Sequence, residues 1–356
     1  MTIRILTGDC RDVLKTLGDN SVDAIVTDPP YHLTTGKKGG SGEASASLAT
    51  PHGRARVTTG FMGVLKPGGY LAAFGGTRTY RRLVCAIEDA GFEVRDMLAW
   101  LYGSGFPKGT DKAKIPEQWR GWNTALKPAI EPICLARKPM VGTLAENVQR
   151  YGTGALWIDG CRVALDGERP VMVRTSTVVA ARAMAGESTG ATASGETTDT
   201  GRWPANLIHD GSEEVVEAFP ESTSGHWPTA RGAGGISTSG HGGQQGLDGR
   251  QASSGSAARF FYCAKADRAD RNDGGAQNHH PTVKPTDLMR YLCRLVTPPG
   301  GLVLDPFMGS GSTLKAAELE GLRAIGIELS PEYVAIARRR IGADAPLFTQ
   351  IEESGD

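Results

Sequence analysis

One stretch constrains this chain more than any other: Val303-Leu304-Asp305-Pro306-Phe307-Met308-Gly309-Ser310-Gly311-Ser312-Thr313. An apolar strand ends in an acid, passes through a turn with two glycines, and opens a helix over Thr313 to Glu320. Strand, glycine turn and helix in succession form the crossover unit of a parallel sheet, and such turns are where α/β folds bind nucleotides. Two familiar versions fail here. The dinucleotide fingerprint asks for a third glycine or alanine where Leu314 stands, and the phosphate loop asks for a lysine after its last glycine. A second strand, Ala324 to Ile327, ends in Glu328, about 20 residues beyond the turn, where an acid accepts hydrogen bonds from ribose hydroxyls. The pair suits an adenosine-type ligand without phosphates.

The rhythm around this unit predicts an α/β fold, a Rossmann-like sheet with helices on both faces, split by an insertion. Strands are expected at Ile3–Leu6, Ala24–Val26, Gly69–Phe74, Val94–Leu101 and Ala129–Ala136, with helices at Arg11–Leu17 and Tyr80–Ala90. The polar stretch Thr34–Thr59 has little to bury and reads as a loop. After a break the pattern resumes: strand Arg259–Ala264, helix Thr286–Val296, strand Leu302–Leu304, helix Thr313–Glu320, strand Ala324–Ile327, helix Pro331–Ile341. Between them, residues 140–258 lose lysine entirely, become net acidic, and hold near-repetitive runs at Gly186–Gly201 and Gly232–Gly255. The expected organisation is a catalytic half, 1–139, a partly flexible inserted region, 140–258, and a cofactor half, 259–356.

Overall charge is balanced, 39 basic against 39 acidic side chains, so nucleic acid is not held by bulk positive charge and any such site is local. The six cysteines are too widely spaced for a zinc set, so no metal is expected. No apolar run is long enough for a membrane, and no leader is evident; the expectation is a cytoplasmic protein with reduced thiols.

The second chemical signal is the strand Val22–Thr27 followed by Asp28-Pro29-Pro30-Tyr31. Neither proline donates a backbone hydrogen bond, so the turn leaves carbonyls free to accept. Asp28 and the Pro29 carbonyl together suit the two hydrogens of an exocyclic amino group, and Tyr31 offers a stacking face. Read from these residues alone, a structural turn with Tyr31 packed on the core is an equal alternative.

Together, Asp28-Pro29-Pro30-Tyr31 and Phe307-Met308-Gly309-Ser310-Gly311 resemble the amino-methylating DNA methyltransferases that use S-adenosylmethionine, in the β arrangement, where the catalytic motif precedes the cofactor motif. Gly8-Asp9-Cys10 resembles the strand end that contacts the cofactor adenine, and His280-Pro281-Thr282-Val283-Lys284-Pro285 the segment over the methionine end. Leu65–Phe74, Val94–Leu101 and Lys127–Arg137 resemble the walls of the target-base pocket, while the inserted region falls where this subgroup carries target recognition. The string Gly201-Arg202-Trp203-Pro204-Ala205-Asn206-Leu207-Ile208 is similar to phage and prophage members.

The resemblance implies base flipping and methylation of adenine N6 in double-stranded DNA. Asp28, Pro29, Pro30 and Tyr31 would be catalytic. The cofactor would lie against Asp9, Cys10, Asp28, Thr282, Lys284, Asp305, Pro306, Phe307, Gly309, Ser310, Gly311, Ser312, Thr313 and Glu328. Phosphate contacts are expected from Lys37, Lys38, Arg54, Arg56, Arg78, Arg81 and Arg82, and base readout from arginines of the insertion such as Arg150, Arg162, Arg174, Arg202 and Arg231. The resemblance leaves open a homodimer, and either a cognate restriction endonuclease or an orphan enzyme. The alternatives are N4-cytosine methylation, methylation of RNA or of protein glutamine, a nicotinamide-dependent oxidoreductase, and a catalytically dead DNA-binding protein.

Overall fold

The structure, a computed structural model, describes residues 2–31, 51–107, 109–164, 171–174, 195–198, 201–223, 254–265, 272, 278, 280, 283–343 and 350–353. Its main sheet has ten strands: β1 (Thr2–Thr7), β2 (Val22–Thr27), β3 (Leu65–Phe74), β4 (Glu93–Leu101), β5 (Ile130–Arg137), β6 (Leu207–His209), β7 (Tyr262–Cys263), β8 (Leu302–Asp305), β9 (Arg323–Glu328) and β10 (Gln350–Glu353). They lie in the order β7-β6-β4-β5-β3-β2-β8-β9-β1-β10. Every pairing is parallel except those of β5, which runs against both β3 and β4.

Side chains alternate across the central strands, so each strand feeds two cores. Ala24, Val26, Ala72 and Phe74 face one side, with Leu288, Tyr291 and Leu292 of α4 (Thr286–Val296), Leu314 of α5 (Ser312–Leu319) and Ala337 of α6 (Pro331–Ala343). Ile25, Leu71, Ala73, Leu304 and Ile325 face the other, with Cys10 of α1 (Cys10–Val13), Phe61 of α2 (Pro51–Val64) and Ile87 of α3 (Tyr80–Asp89). This is the α/β, Rossmann-like sheet with helices on both faces that the sequence predicts. β2 and β8 are neighbours at its centre, yet their following helices pass to opposite faces. That divergence opens a crevice at the carboxyl ends of the two strands.

Two sequence expectations need correction. Residues 51–59, read as part of a loop, begin α2, because Val57, Phe61 and Val64 recur at helical spacing and are buried in the second core; threonines and glycines between them hide the stripe. The strand expected over Arg259–Ala264 is instead a 3₁₀ turn, Ala257–Phe260, followed by the two-residue β7. The Ser256 side chain accepts from the Ala258 N–H, which starts the turn.

Within 140–258, β6 pairs with β4 and extends the main sheet, and the helix Leu144–Tyr151 is closed by a capping box between Thr143 and Glu146. Its buried Asn147 donates to the carbonyls of Pro67 and Thr153 at 3.0 and 2.7 Å, tying the helix to the start of β3. Most of the two glycine-rich runs lies outside the described residues. No described helix is long and apolar enough to cross a membrane.

Candidate active site

The carboxyl ends of β1, β2, β3, β8 and β9 share one rim of the sheet, and the sequence motifs follow those ends. Gly8-Asp9 leaves β1, Asp28 to Tyr31 leaves β2, Gly76 to Arg78 follows β3, Pro306 to Gly309 follows β8, and Glu328 closes β9. A cavity of about 1240 Å³ opens there, lined by all of these together with Tyr102, Lys127 to Glu131, His280 and Lys284.

The acidic strand ends are fixed by local bonds. Asp305 is buried; one carboxylate oxygen accepts from the Thr27 hydroxyl at 2.7 Å and from the Phe307 N–H at 3.0 Å, and the other from the Thr313 hydroxyl. Burial pushes its carboxyl up to about 6 despite those donors. Glu328 accepts from the Gly309 N–H at 3.0 Å and the Ser330 N–H at 2.8 Å. Asp9 caps α1, accepting from the Arg11 N–H at 2.9 Å and from its guanidinium, and that guanidinium holds its carboxyl below the usual range.

Gly309 and Gly311 have φ of +51° and +83°, the left-handed region that glycine enters freely. A Cβ on Gly309 would stand 2.7 Å from His280 Nε2, and one on Gly311 2.9 Å from the Ala337 Cβ. The fully buried Arg340 of α6 holds the turn from beneath, donating to the Ser310 carbonyl at 2.7 Å, the Ser310 hydroxyl at 3.0 Å and the Ser312 hydroxyl at 3.2 Å. Asn278 donates to the same Ser310 hydroxyl at 3.1 Å, so its side chain lies against the turn.

Across the cavity stands a four-residue polar cluster. The Lys284 ammonium is 2.5 Å from Asp28 Oδ2, 3.2 Å from Glu131 Oε2 and 3.4 Å from the Tyr31 hydroxyl, and that hydroxyl donates to Glu131 at 3.1 Å. The Tyr31 and Phe74 rings lie 5.6 and 4.8 Å from the same nitrogen. Burial alone would lower the Lys284 ammonium, but Asp28 and Glu131 outweigh it and hold it raised. Burial, then the same two carboxylates, raise the Tyr31 phenol, which therefore stays a donor. Asp28 Oδ1 is buried and has no hydrogen-bond partner among the described residues.

Most residues expected from the sequence meet here. Asp9, Cys10, Asp28 to Tyr31, Asp305 to Phe307, Gly309, Ser310, Ser312, Thr313, Glu328 and Lys284 all line the cavity. Lys284, expected at the methionine end, reaches Asp28. Thr282, Lys37 and Lys38 lie outside the described residues, as do the side chains of Arg54 and Arg56. Arg78 is exposed on the cavity wall and Arg81 and Arg82 are exposed on α3. Arg202 is turned inward: its guanidinium stacks on Phe260 at 5.0 Å and donates to the carbonyls of Ala164 and Arg259. Among the described residues no group of three or more metal-ligating side chains stands together.

Sequence reading missed Glu131 and Arg340. An acid inside the otherwise apolar Ile130–Ala136 was a visible signal for the first; nothing in the sequence marks the second. Glu131 reaches the rim because β5 is reversed, which brings its amino end, rather than its carboxyl end, to the cavity.

Comparison with known proteins supplies the family. The profile of the DNA methylase family matches residues 22–339. The chain belongs to that family. Among its relatives, the type II methyltransferase M.HindIII of Haemophilus influenzae is 24% identical, covering 93% of this methylase and 92% of its own length. M.Cfr9I of Citrobacter freundii, also a type II methyltransferase, is 35% identical over 97 residues, 23% of this methylase and 32% of its own chain. Among solved structures, the PvuII DNA methyltransferase, described as cytosine-N4-specific, is 16% identical, with 95% and 87% of the two chains covered and a TM-score of 0.46.

Proposed function

We propose that this methylase transfers a methyl group from S-adenosylmethionine to the N6 amino group of adenine in double-stranded DNA. The observation that carries the reading is Asp28 Oδ1, a buried acceptor with no partner, beside the Pro29 carbonyl and the Tyr31 ring in one cavity. An acceptor kept from water and left unpaired is costly unless a ligand completes it. The amino group of a base is such a ligand.

The glycine turn fits the donor. A Cβ at either glycine would fill space or strain the backbone, and Glu328, whose carboxylate is the kind of acceptor ribose hydroxyls need, lines the same cavity beside the turn. Asp9 faces the same cavity from β1, where an adenine amino group would meet it, and Phe307 lines the wall between them. When bound, S-adenosylmethionine supplies a sulfonium methyl: the amino lone pair forms the new N–C bond, the C–S electrons return to sulfur, and the surplus amino proton departs.

The chain's own contribution is placement and polarity. The base leaves the duplex, since its amino group is otherwise held in pairing, and Tyr31 offers the face on which it stacks. Asp28 and the Pro29 carbonyl accept from the two amino hydrogens, which favours a pyramidal nitrogen with its lone pair aimed at the methyl. Arg78, with Arg81 and Arg82 on α3, supplies cations for phosphates near the cavity mouth.

The aspartate that opens the catalytic turn favours adenine over cytosine in enzymes it resembles; cytosine N4 asks for the same acceptors and is the second reading. Expression in methylation-free cells, followed by digestion of their DNA to nucleosides and modified-base sequencing, tests both. N6-methyladenine at a defined sequence is expected, and Asp28→Ala is expected to cut it by about 10²–10³-fold, the scale for losing one well-aimed polar contact at a reacting group. N4-methylcytosine alone would overturn the adenine assignment, and unmodified DNA the whole proposal.

A further inference from the structure

We infer that Lys284, braced by Glu131, reads the ring nitrogen of the target base. This rests on the methylation reading above and specifies which bases the cavity admits. Lys284 and Asp28 stand side by side: one carboxylate oxygen takes the ammonium at 2.5 Å, while the other has no partner. The cavity wall thus holds, among the described residues, a buried acceptor without a partner next to a donor.

That pair matches one kind of Watson–Crick edge. Adenine and cytosine carry an amino donor beside an unprotonated ring nitrogen, an acceptor. In guanine and thymine the order is inverted, with a carbonyl oxygen beside a ring N–H. An amino hydrogen on Asp28 Oδ1 therefore brings the ring nitrogen of adenine or cytosine towards Lys284, whereas guanine or thymine would set oxygen against carboxylate and N–H against ammonium. Such mismatches leave buried polar groups unpaired, and sites built this way reject the wrong edge strongly.

The ammonium has a proton to give. Of its three contacts, those to Asp28 and Glu131 are the two ionic ones, and the third, to the Tyr31 hydroxyl at 3.4 Å, is the longest. Tyr31 already donates to Glu131, so it loses little when a base takes that proton. Glu131 accepts from both neighbours and keeps the ammonium at the cavity wall, which makes it a positioning residue. The two rings at 5.6 and 4.8 Å leave the lysine no room to swing away.

The test uses duplex oligonucleotides of the sequence this protein is found to methylate, with the target adenine replaced by 1-deazaadenine, in which C–H stands in place of the ring nitrogen (3-deazacytosine if the target is cytosine). Binding is measured by fluorescence anisotropy and KM is measured alongside it. Wild-type protein is expected to bind the analogue duplex about tenfold more weakly or worse, as for a lost hydrogen bond to a charged group. Lys284→Gln is expected to bind the two duplexes alike, and Glu131→Gln to narrow the gap. The wild-type comparison alone decides the matter if either variant fails to fold. Equal affinity of the wild type for both duplexes, with the natural one methylated, would overturn the role of Lys284 while leaving the methylation reading standing. Absence of methyl transfer to the natural duplex would overturn both.

Discussion

Thr27 and Asp305 are separated by 278 positions in the chain, and the hydroxyl of the first donates to the carboxylate of the second at 2.7 Å. The bond joins the last residue of β2 to the last residue of β8, so the Asp28–Tyr31 turn and the glycine turn begin from one clamped point. Asp305 is therefore a keystone of the rim, its acceptors directed inward to Thr27, Thr313 and the Phe307 N–H.

Its titration gives a stability signature. Burial raises the folded-state pKa from 3.8 to about 6, so the folded protein binds the proton more tightly than the unfolded chain does. Stability from this group is highest below the lower value, falls as pH rises through the interval, and is fully lost above the upper one, by roughly 3 kcal/mol. Asp305→Asn removes the titration. In urea unfolding from pH 4 to pH 7, the variant is expected to gain on the wild type by that order; a constant offset across the range would refute the keystone's buried charge.

The two glycines of the turn differ in what opposes a side chain. At Gly311 the obstacle is Ala337 in the packed core of α6, which has nowhere to move; at Gly309 it is the tip of His280. Both substitutions carry a left-handed backbone cost of roughly 1–2 kcal/mol. Gly311→Ala is expected to lower the melting temperature more, while Gly309→Ala is expected to weaken S-adenosylmethionine binding in calorimetry with the smaller effect on melting. The reverse order would mean that Ala337 gives way and His280 does not.

Tyr31 has a ring and a hydroxyl with separable work. Tyr31→Phe keeps the stacking face and loses the hydroxyl's bonds to Glu131 and Lys284, whereas Tyr31→Ala removes the face. Base stacking on an aromatic ring contributes about 1–3 kcal/mol, so the alanine variant is expected to raise KM for DNA by about 5- to 150-fold and the phenylalanine variant by much less. Steady-state kinetics on a single-site duplex would show it, and equal losses would place the energy in the hydroxyl.

All six thiols are free, and only Cys85 is exposed. Burial, with a smaller push from Asp9, drives the Cys10 thiol in the cavity wall up to about 12, and burial does the same for Cys134 and Cys161. The thiolate is the reactive form, so those three stay inert near neutral pH. A chromogenic disulfide reagent should find one fast thiol in the native protein, lost in Cys85→Ser, with methyl transfer unaffected. Rapid labelling of Cys10 would contradict the packing around α1.

The strand ends were legible because each motif sits where an apolar run stops, and a parallel sheet gathers such stops on one rim. Strand, turn and spacing paired Asp305 with Glu328, and the family resemblance brought Asp9 and Asp28 to the same site. Glu131 could not be placed there, since nothing local reveals that β5 is reversed and brings its first residues to the cavity. Lys284 was found but its partners were not: its motif gives a neighbourhood, whereas the partner of a long side chain depends on which carboxylates the tertiary fold brings within reach. Arg340 was invisible because its task is to fill the hydrogen bonds of a turn far from it in sequence, and a helical arginine ordinarily reads as a solvated charge. The polar face of residues 51–59 concealed a helix whose existence depends on tertiary burial of Val57 and Phe61.

The seam between β2 and β8 has a consequence for the life of the molecule on the ribosome. A ribosome that has finished β2 has most of the chain still to translate before β8 exists, and throughout that interval one long edge of β2 has no strand to meet. Pairings over such separations close slowly, and an open edge in the meantime invites pairing with another chain. The nascent methylase therefore holds the Asp28–Tyr31 turn early and gains the glycine turn late, so the cavity they share exists only in a chain translated past β9.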